Sequence, residues 1–171
     1  MKIFAVVVIL ILASFVLIDR TPPSSVVVSY YYKGKNVDII EKGLSDWKFL
    51  KNVKFVRSEE QNFSTLKIVE VTSKQMMDSR SLGEYYFYSN TMKLNTDKQL
   101  TKRQWIAVVS HEVGHYFLLQ HSDDKTSIMS NNIYLNADDT KQAAKNISKV
   151  ALINKVRGWL NPLYPWFVKK L

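Results

Sequence analysis

The only three histidines of this 171-residue chain fall within eleven residues, in the run His111-Glu112-Val113-Gly114-His115-Tyr116-Phe117-Leu118-Leu119-Gln120-His121. On a helix, residues four apart differ by about 40° of rotation and about 6 Å of rise, so His111 and His115 can reach one metal ion. Glu112 is turned about 100° from His111, which is poor for ligation and good for holding and deprotonating a water beside the ion. Histidines without a ligand role would be scattered along the chain. A third ligand must come from beyond the pair. No Glu follows Glu112, so the candidates are His121, six residues after His115, and then Asp123 or Asp124. A straight helix would carry His121 about 240° round from His115, so the chain must break near residues 117–119. Met129 follows His121 by eight residues, within Ser127-Ile128-Met129. The chain has no cysteine, which excludes disulfides, thiolate metal sites, Cys nucleophiles and a lipid-modified cysteine together.

The elements that must position these groups are legible on both sides of them. Val26 to Tyr32 is rich in β-branched and aromatic residues and reads as a strand. Asn36 stands where it can cap a helix whose apolar stripe is Val37, Ile40, Leu44 and Trp47, at spacings of three and four. Val53 to Val56, Thr65 to Val71, Tyr85 to Tyr88 and Met92 to Asn95 read as strands, the last two joined by a turn at Ser89-Asn90-Thr91. Thr101 and Gln104 form a capping-box pattern that opens the histidine-bearing helix. A long helix begins near Asp138-Asp139 and must stop by Asn161, the residue before Pro162. Strands first and helices later, with one helix inserted early, is an α+β order.

Hydrophobic residues make up 46% of the chain and charged residues 23%, the balance of one globular domain rather than a disordered chain. Residues 3–18 are uninterrupted apolar or small residues closed by Asp19-Arg20, either a signal anchor or a cleaved signal peptide. The small residues Ala13 and Ser14 have Ile11 and Leu12 at −3, which favours the uncut anchor. The expected layout is an anchor or signal peptide over residues 1–20, a stiff linker over 21–25, the catalytic domain over 26–160 and a tail over 161–171. The domain is then membrane-anchored on the extracytoplasmic side, or secreted, and a monomer is expected. Of the +9 net charge, seven Lys or Arg and no acid lie between Lys141 and Leu171. That excess is either a solvated helix face or an attraction to an anionic surface, and no nucleic-acid motif accompanies it. Trp159, Tyr164, Trp166 and Phe167 beside Lys169 and Lys170 suit a membrane interface or a tail folded back on the domain.

HEVGHYFLLQH followed by Met129 resembles the motif of the metzincins, and Ser122 after the third histidine is similar to the matrixins within that group. Leu44 to Phe55, with Trp47, is similar to that family's first helix and second strand, and Leu135 to Asp139 to the start of its last helix. The resemblance implies a twisted, mainly parallel sheet with an antiparallel edge strand, one catalytic zinc, and hydrolysis of peptide bonds in a peptide or protein substrate. It implies ligands His111, His115 and His121, Glu112 as general base, and Met129 as an apolar floor beneath the histidines. It also implies an Asp138-Asp139 pair supporting the Met-turn. Tyr85, Tyr86, Phe87 and Tyr88 would lie on the edge strand that pairs with an extended substrate, ordinary strand packing being their other reading. Asn131 to Leu135 would wall the pocket for the side chain after the cut.

The sequence departs from the family pattern at defined places. Leu118 takes the usual Gly position. No histidines remain for a structural zinc, and the stretch from Leu82 to Asn95 is short for the loop that holds such ions. There is no cysteine switch, and Asn131 stands where astacin-like members place a Tyr ligand. A second function class stays open, a zinc-holding adhesion or regulatory module without turnover. The retained Glu112 argues against it, because a metal clip needs no base beside its ligands.

Overall fold

The computed structural model describes residues 26–130 and 137–160. Strand β1 is Val26–Tyr32, and its alternation buries Val26, Val28, Tyr30 and Tyr32 on one face. Helix α1, Val37–Ser45, crosses that face, and a short 3-10 turn over Asp46–Phe49 follows it. Strands β2 (Val53–Arg57), β3 (Leu66–Val71), β4 (Gly83–Tyr86) and β5 (Thr91–Asn95) complete one sheet in the order β2-β1-β3-β5-β4. β1 runs parallel to β2 and β3, and β3 parallel to β5, while β4 alone is antiparallel, at the edge beside β5. The α+β class and the mainly parallel sheet with an antiparallel edge strand are therefore as expected. Helix α2, Lys102–Tyr116, and helix α3, Ala137–Leu160, close the chain order of the described elements.

The apolar stripe of α1 buries Ile40 and Leu44, and the 3-10 turn adds Trp47 with no exposed surface. Val37 is only half-buried, at the mouth of the helix. The Trp47 indole packs against Phe117 at 5.4 Å between ring centroids and donates its N–H to the Ser110 carbonyl at 3.0 Å. A buried indole N–H needs such a partner, so this bond fixes α2 in height as well as filling the core.

Two local readings need correction. Asn36 does sit at the start of α1, with its carbonyl accepting from Ile39 N and Ile40 N at 3.1 and 3.2 Å. Its side chain makes no cap, however, because the amide donates instead to Glu70 Oε1 at 3.1 Å. The strand expected over Tyr85 to Tyr88 is displaced to Gly83–Tyr86. Phe87 and Tyr88 fall in the hairpin turn, whose tightness is set by Asn90 at φ 53°, a conformation Asn tolerates well.

The capping box at Thr101 forms as read: Gln104 N donates to Thr101 Oγ1 at 3.3 Å, and Thr101 N donates to Gln104 Oε1 at 2.9 Å. In α3, Lys141, Lys145 and Lys149 are exposed while Asp139, Ala143 and Val150 are buried, so these lysines form a solvated face. Among the described residues no helix is long and apolar enough to cross a membrane. The apolar segment 3–18, the expected pocket wall from Asn131 to Leu135 and the tail 161–171 lie outside the described residues.

Candidate metal centre and active site

Helix α2 ends at Tyr116, and the chain then turns within three residues. Leu118 adopts φ 62°, its N–H bonds the His115 carbonyl at 2.9 Å, and the Leu119 N–H bonds the Gly114 carbonyl at 3.0 Å. This pair of bonds is the Schellman arrangement, which normally places Gly at the left-handed position. The break required near residues 117–119 is thus centred on Leu118, and a leucine bears it. Phe117 and Leu119 are buried on either side and Leu118 packs against the core edge, which holds the turn despite the Cβ penalty. Leu118→Gly is therefore expected to bind zinc equally or more tightly, since strain is relieved while lost packing acts elsewhere. Its thermal midpoint should be unchanged or lower. Competition titration with a chromogenic chelator checks this, and weaker zinc binding would contradict the account.

The turn brings His121 back to the pair on α2. Ligand atoms of His111, His115 and His121 all lie within 4.8 Å of one another, and His115 Nε2 is 3.2 Å from His121 Nε2. Among the described residues this is the only cluster of three or more such groups. Neither Asp123 nor Asp124 joins it, and the Asp124 carboxylate instead accepts from Thr126 N and Thr126 Oγ1, each at 2.8 Å.

Two of the rings are oriented by backbone. His111 Nδ1 lies 2.7 Å from the Ile128 carbonyl and His115 Nδ1 2.9 Å from the Leu119 carbonyl. A carbonyl only accepts, so each Nδ1 carries the proton and each Nε2 presents a lone pair to the centre. Burial first, then the neighbouring histidines, holds both rings below the ordinary imidazole range, His115 at about 4, which keeps them neutral for ligation.

Glu112 is buried on the same turn of α2. Its carboxyl is pushed up to about 8, chiefly by desolvation and next by the Glu84 charge, against a lowering bond from the Tyr85 backbone. Its Oε2 has no hydrogen-bond partner. A buried carboxylate oxygen without a partner is costly, and it marks the place where a further polar group belongs. Three imidazoles converging beside such an oxygen, two of them with Nε2 left to ligate, fit zinc, whose catalytic sites take three protein nitrogens and keep one position open.

The floor is built from the Met-turn. Met129 is buried under Gly114, where an added Cβ would stand 2.2 Å from the Met129 Sδ. Only glycine permits that approach. Of the expected Asp pair, Asp139 is the one that reaches this turn: it accepts from Ser127 Oγ at 2.5 Å and from Ile128 N at 2.9 Å. Asp138 points outward and pairs with Lys141 at 3.1 Å, with 72% of its side chain exposed.

A cleft of about 970 Å³ runs along the site between β4 and α2. Its rim on the sheet side is Ser81, Leu82 and Gly83 rather than the aromatic run after them. Tyr85 donates to Asn90 Oδ1 and packs on Tyr116 at 6.1 Å, and Tyr86 donates to Glu84 Oε2 at 2.5 Å beneath the Lys93 ammonium. Those side chains hold the hairpin together. Phe87 and Tyr88 lie beyond the strand, Tyr88 with 92% of its surface exposed.

The residues that place the rim were missed in the sequence. Asn95 is fully buried; its Nδ2 donates to the Ser81 carbonyl at 2.8 Å, its backbone N–H to the Leu82 carbonyl at 3.0 Å, and its Oδ1 accepts from Ser73 Oγ at 3.0 Å. Glu84 accepts from Met77 N and Asp78 N, both at 2.9 Å. Side chains thus tie down the segment between β3 and β4. The one available signal was a polar Asn closing an otherwise apolar-alternating strand.

Residues 29–151 match the family model described as matrixin. The chain belongs to the matrixin family. The matrixin fold is also seen from solved structures: the structure of myroilysin superposes with a TM-score of 0.55 at 14% identity, covering 74% of this chain and 95% of that one. Identity that low speaks of the fold alone. No curated protein matches this matrixin in sequence. The family is one of zinc metalloendopeptidases, and the histidine cluster of this member is of the kind that holds the ion.

Proposed function

We propose that this matrixin is a zinc-dependent endopeptidase whose general base is Glu112. The observation that carries the reading is the unpartnered, buried Glu112 Oε2 next to three converging imidazoles, two of them with Nδ1 already committed to carbonyls. When bound there, zinc supplies a Lewis acid that polarises a carbonyl and makes water a better nucleophile at neutral pH. Glu112 accepts the water proton at Oε2 and passes it to the leaving amine, a role its low-polarity surroundings favour. His111, His115 and His121 are the ligands, Met129 and Gly114 set the floor, and Asp139 holds that floor in place. Among the described residues no strand lies outside β4, and that edge with the rim at Ser81 to Gly83 gives an extended peptide a backbone to pair with.

The zinc-holding module without turnover is the other reading. Burial of a carboxylate beside the ligands weighs against it, because a purely structural site gains nothing from that cost. We also infer that residues 3–18 stay uncut and tether the domain outside the membrane, with the exposed Lys145 and Lys149 of α3 available to anionic groups. The deciding experiment is cleavage of a peptide library by the full chain, with and without a chelator. Chelator-sensitive cleavage supports the endopeptidase, and zinc-loaded protein inert on every peptide supports the module. Metal analysis after dialysis should return one tightly held zinc per chain. Two would mean that a second cluster lies outside the described residues.

A further inference from the structure

We infer that the domain edge formed by Lys48, Phe49, Lys51 and Lys54 rests on an anionic lipid surface, an inference that depends on the tether proposed above. Residues 47–58 contain four cations, Lys48, Lys51, Lys54 and Arg57, and no acid. Arg57 is used internally, donating to the Tyr32 carbonyl at 3.2 Å. The three lysines are exposed, and among the described residues none of them forms an ion pair. Asp46, just before them, is half-buried. Between the lysines Phe49 stands 69% exposed, with the Lys48 ammonium 5.6 Å from its ring centroid. Val27, opposite Lys54 in the β1–β2 register, is 55% exposed. Exposed apolar side chains cost free energy in water, and an exposed aromatic ring beside a lysine ammonium, on a segment with two more exposed lysines, matches the headgroup layer of an anionic bilayer.

The tether decides the occupant. Val26 N donates to the Asn52 carbonyl at 2.6 Å, so the domain is entered beside this patch, and Phe49 is three residues from Asn52. Residues 19–25 separate Val26 from the apolar segment, and seven residues reach at most about 25 Å in any conformation. A domain held that close by this corner presents this corner to the bilayer. β2 is the edge strand opposite β4, four inter-strand steps or about 19 Å away, so docking by β2 leaves the catalytic rim turned outward. A soluble anionic polymer would use the lysines but not Phe49 and Val27, which is why lipid is favoured.

The absence of cysteine allows a single labelled thiol to report on each edge. Full-length Asn52→Cys and Ser79→Cys proteins, each carrying an environment-sensitive fluorophore, are reconstituted in phosphatidylcholine vesicles with or without phosphatidylglycerol and a headgroup-level nitroxide quencher. Ser79 is exposed two residues before the cleft rim at Ser81, and its carbonyl shares Asn95 Nδ2 with that of Ser81. Quenching is expected at Asn52 and not at Ser79, is stronger with phosphatidylglycerol, and weakens with salt. Each lysine at an anionic surface should favour contact roughly fivefold, so the combined change Lys48→Glu, Lys51→Glu and Lys54→Glu should abolish quenching at Asn52. Phe49→Ser should reduce it alone. Zinc content verifies that each variant is folded. Equal quenching at the two labels, or quenching untouched by charge reversal, overturns the surface contact while the protein stays with the vesicles. Loss of the protein from the vesicle fraction, with a new N-terminus near Ser14, overturns the tether itself and leaves the peptidase reading intact.

Discussion

Glu112→Gln is expected to retain zinc at one per chain while losing about 10²–10⁴-fold in peptide turnover, because the amide keeps the shape of the side chain and cannot accept the proton. His115→Ala, by contrast, should lose metal and activity together. Turnover in Glu112→Gln within a few fold of the parent, at equal zinc content, would sink the assigned role. The same variant makes a second, independent forecast for the metal-free protein. The Glu112 carboxyl sits at about 8 when folded against an ordinary value of 4.5, so folding favours its protonated form. Its contribution to stability is complete below the unfolded value and is lost as pH rises from about 4.5 to about 8. Gln never ionises. The chelated variant should therefore match the chelated parent near pH 4.5 and exceed it at pH 8, by on the order of 2–4 kcal/mol. The depressed histidines act in the opposite sense below pH 6.5, but they do so in both proteins and cancel in the difference. Urea titrations at the two pH values measure it, and a constant difference across that range would show that Glu112 ionises freely.

Asp139→Ala is expected to damage both the fold and the metal centre. The carboxylate holds Ser127 Oγ and Ile128 N, Ser127 Oγ in turn accepts from Met129 N at 2.9 Å, and the Ile128 carbonyl orients His111 at 2.7 Å. Removing it leaves two buried donors without their partner, a loss of about 3–5 kcal/mol at typical costs per group. The freed Ile128 peptide no longer fixes the His111 ring, so zinc affinity should fall roughly 10–100-fold. Asp138→Ala is the control: exposed and paired only with Lys141, it should change stability by less than about 1 kcal/mol and leave zinc untouched. Equal effects of the two substitutions would mean that the charge at the start of α3 matters rather than the bonds to the Met-turn.

The cluster of three histidines and one glutamate was legible in the sequence because helix geometry is local: spacing alone puts His111 and His115 on one face and Glu112 beside them. The strands β1, β3 and β5 and the capping box at Thr101 were legible for the same reason, each resting on side-chain periodicity or on contacts three residues apart. The need for a break before His121 followed from rotation per residue, and it is met at Leu118. What only the tertiary structure decided are relations between distant segments. Whether Asp138 or Asp139 serves the Met-turn depends on the phase of α3 against residues 127–129, which adjacent acids in a sequence do not reveal. That the cleft rim is Ser81 to Gly83 depends on where the β4–β5 turn closes, and Asn90 in a left-handed conformation places that turn two residues earlier than the aromatic run suggests. Asn95 reads as a polar interruption until its partners at Ser73 and Ser81 arrive from 22 and 14 residues away. Hydrogen bonds across such separations leave no periodic trace, because their geometry is set by the packed sheet and helices rather than by the residues next in line.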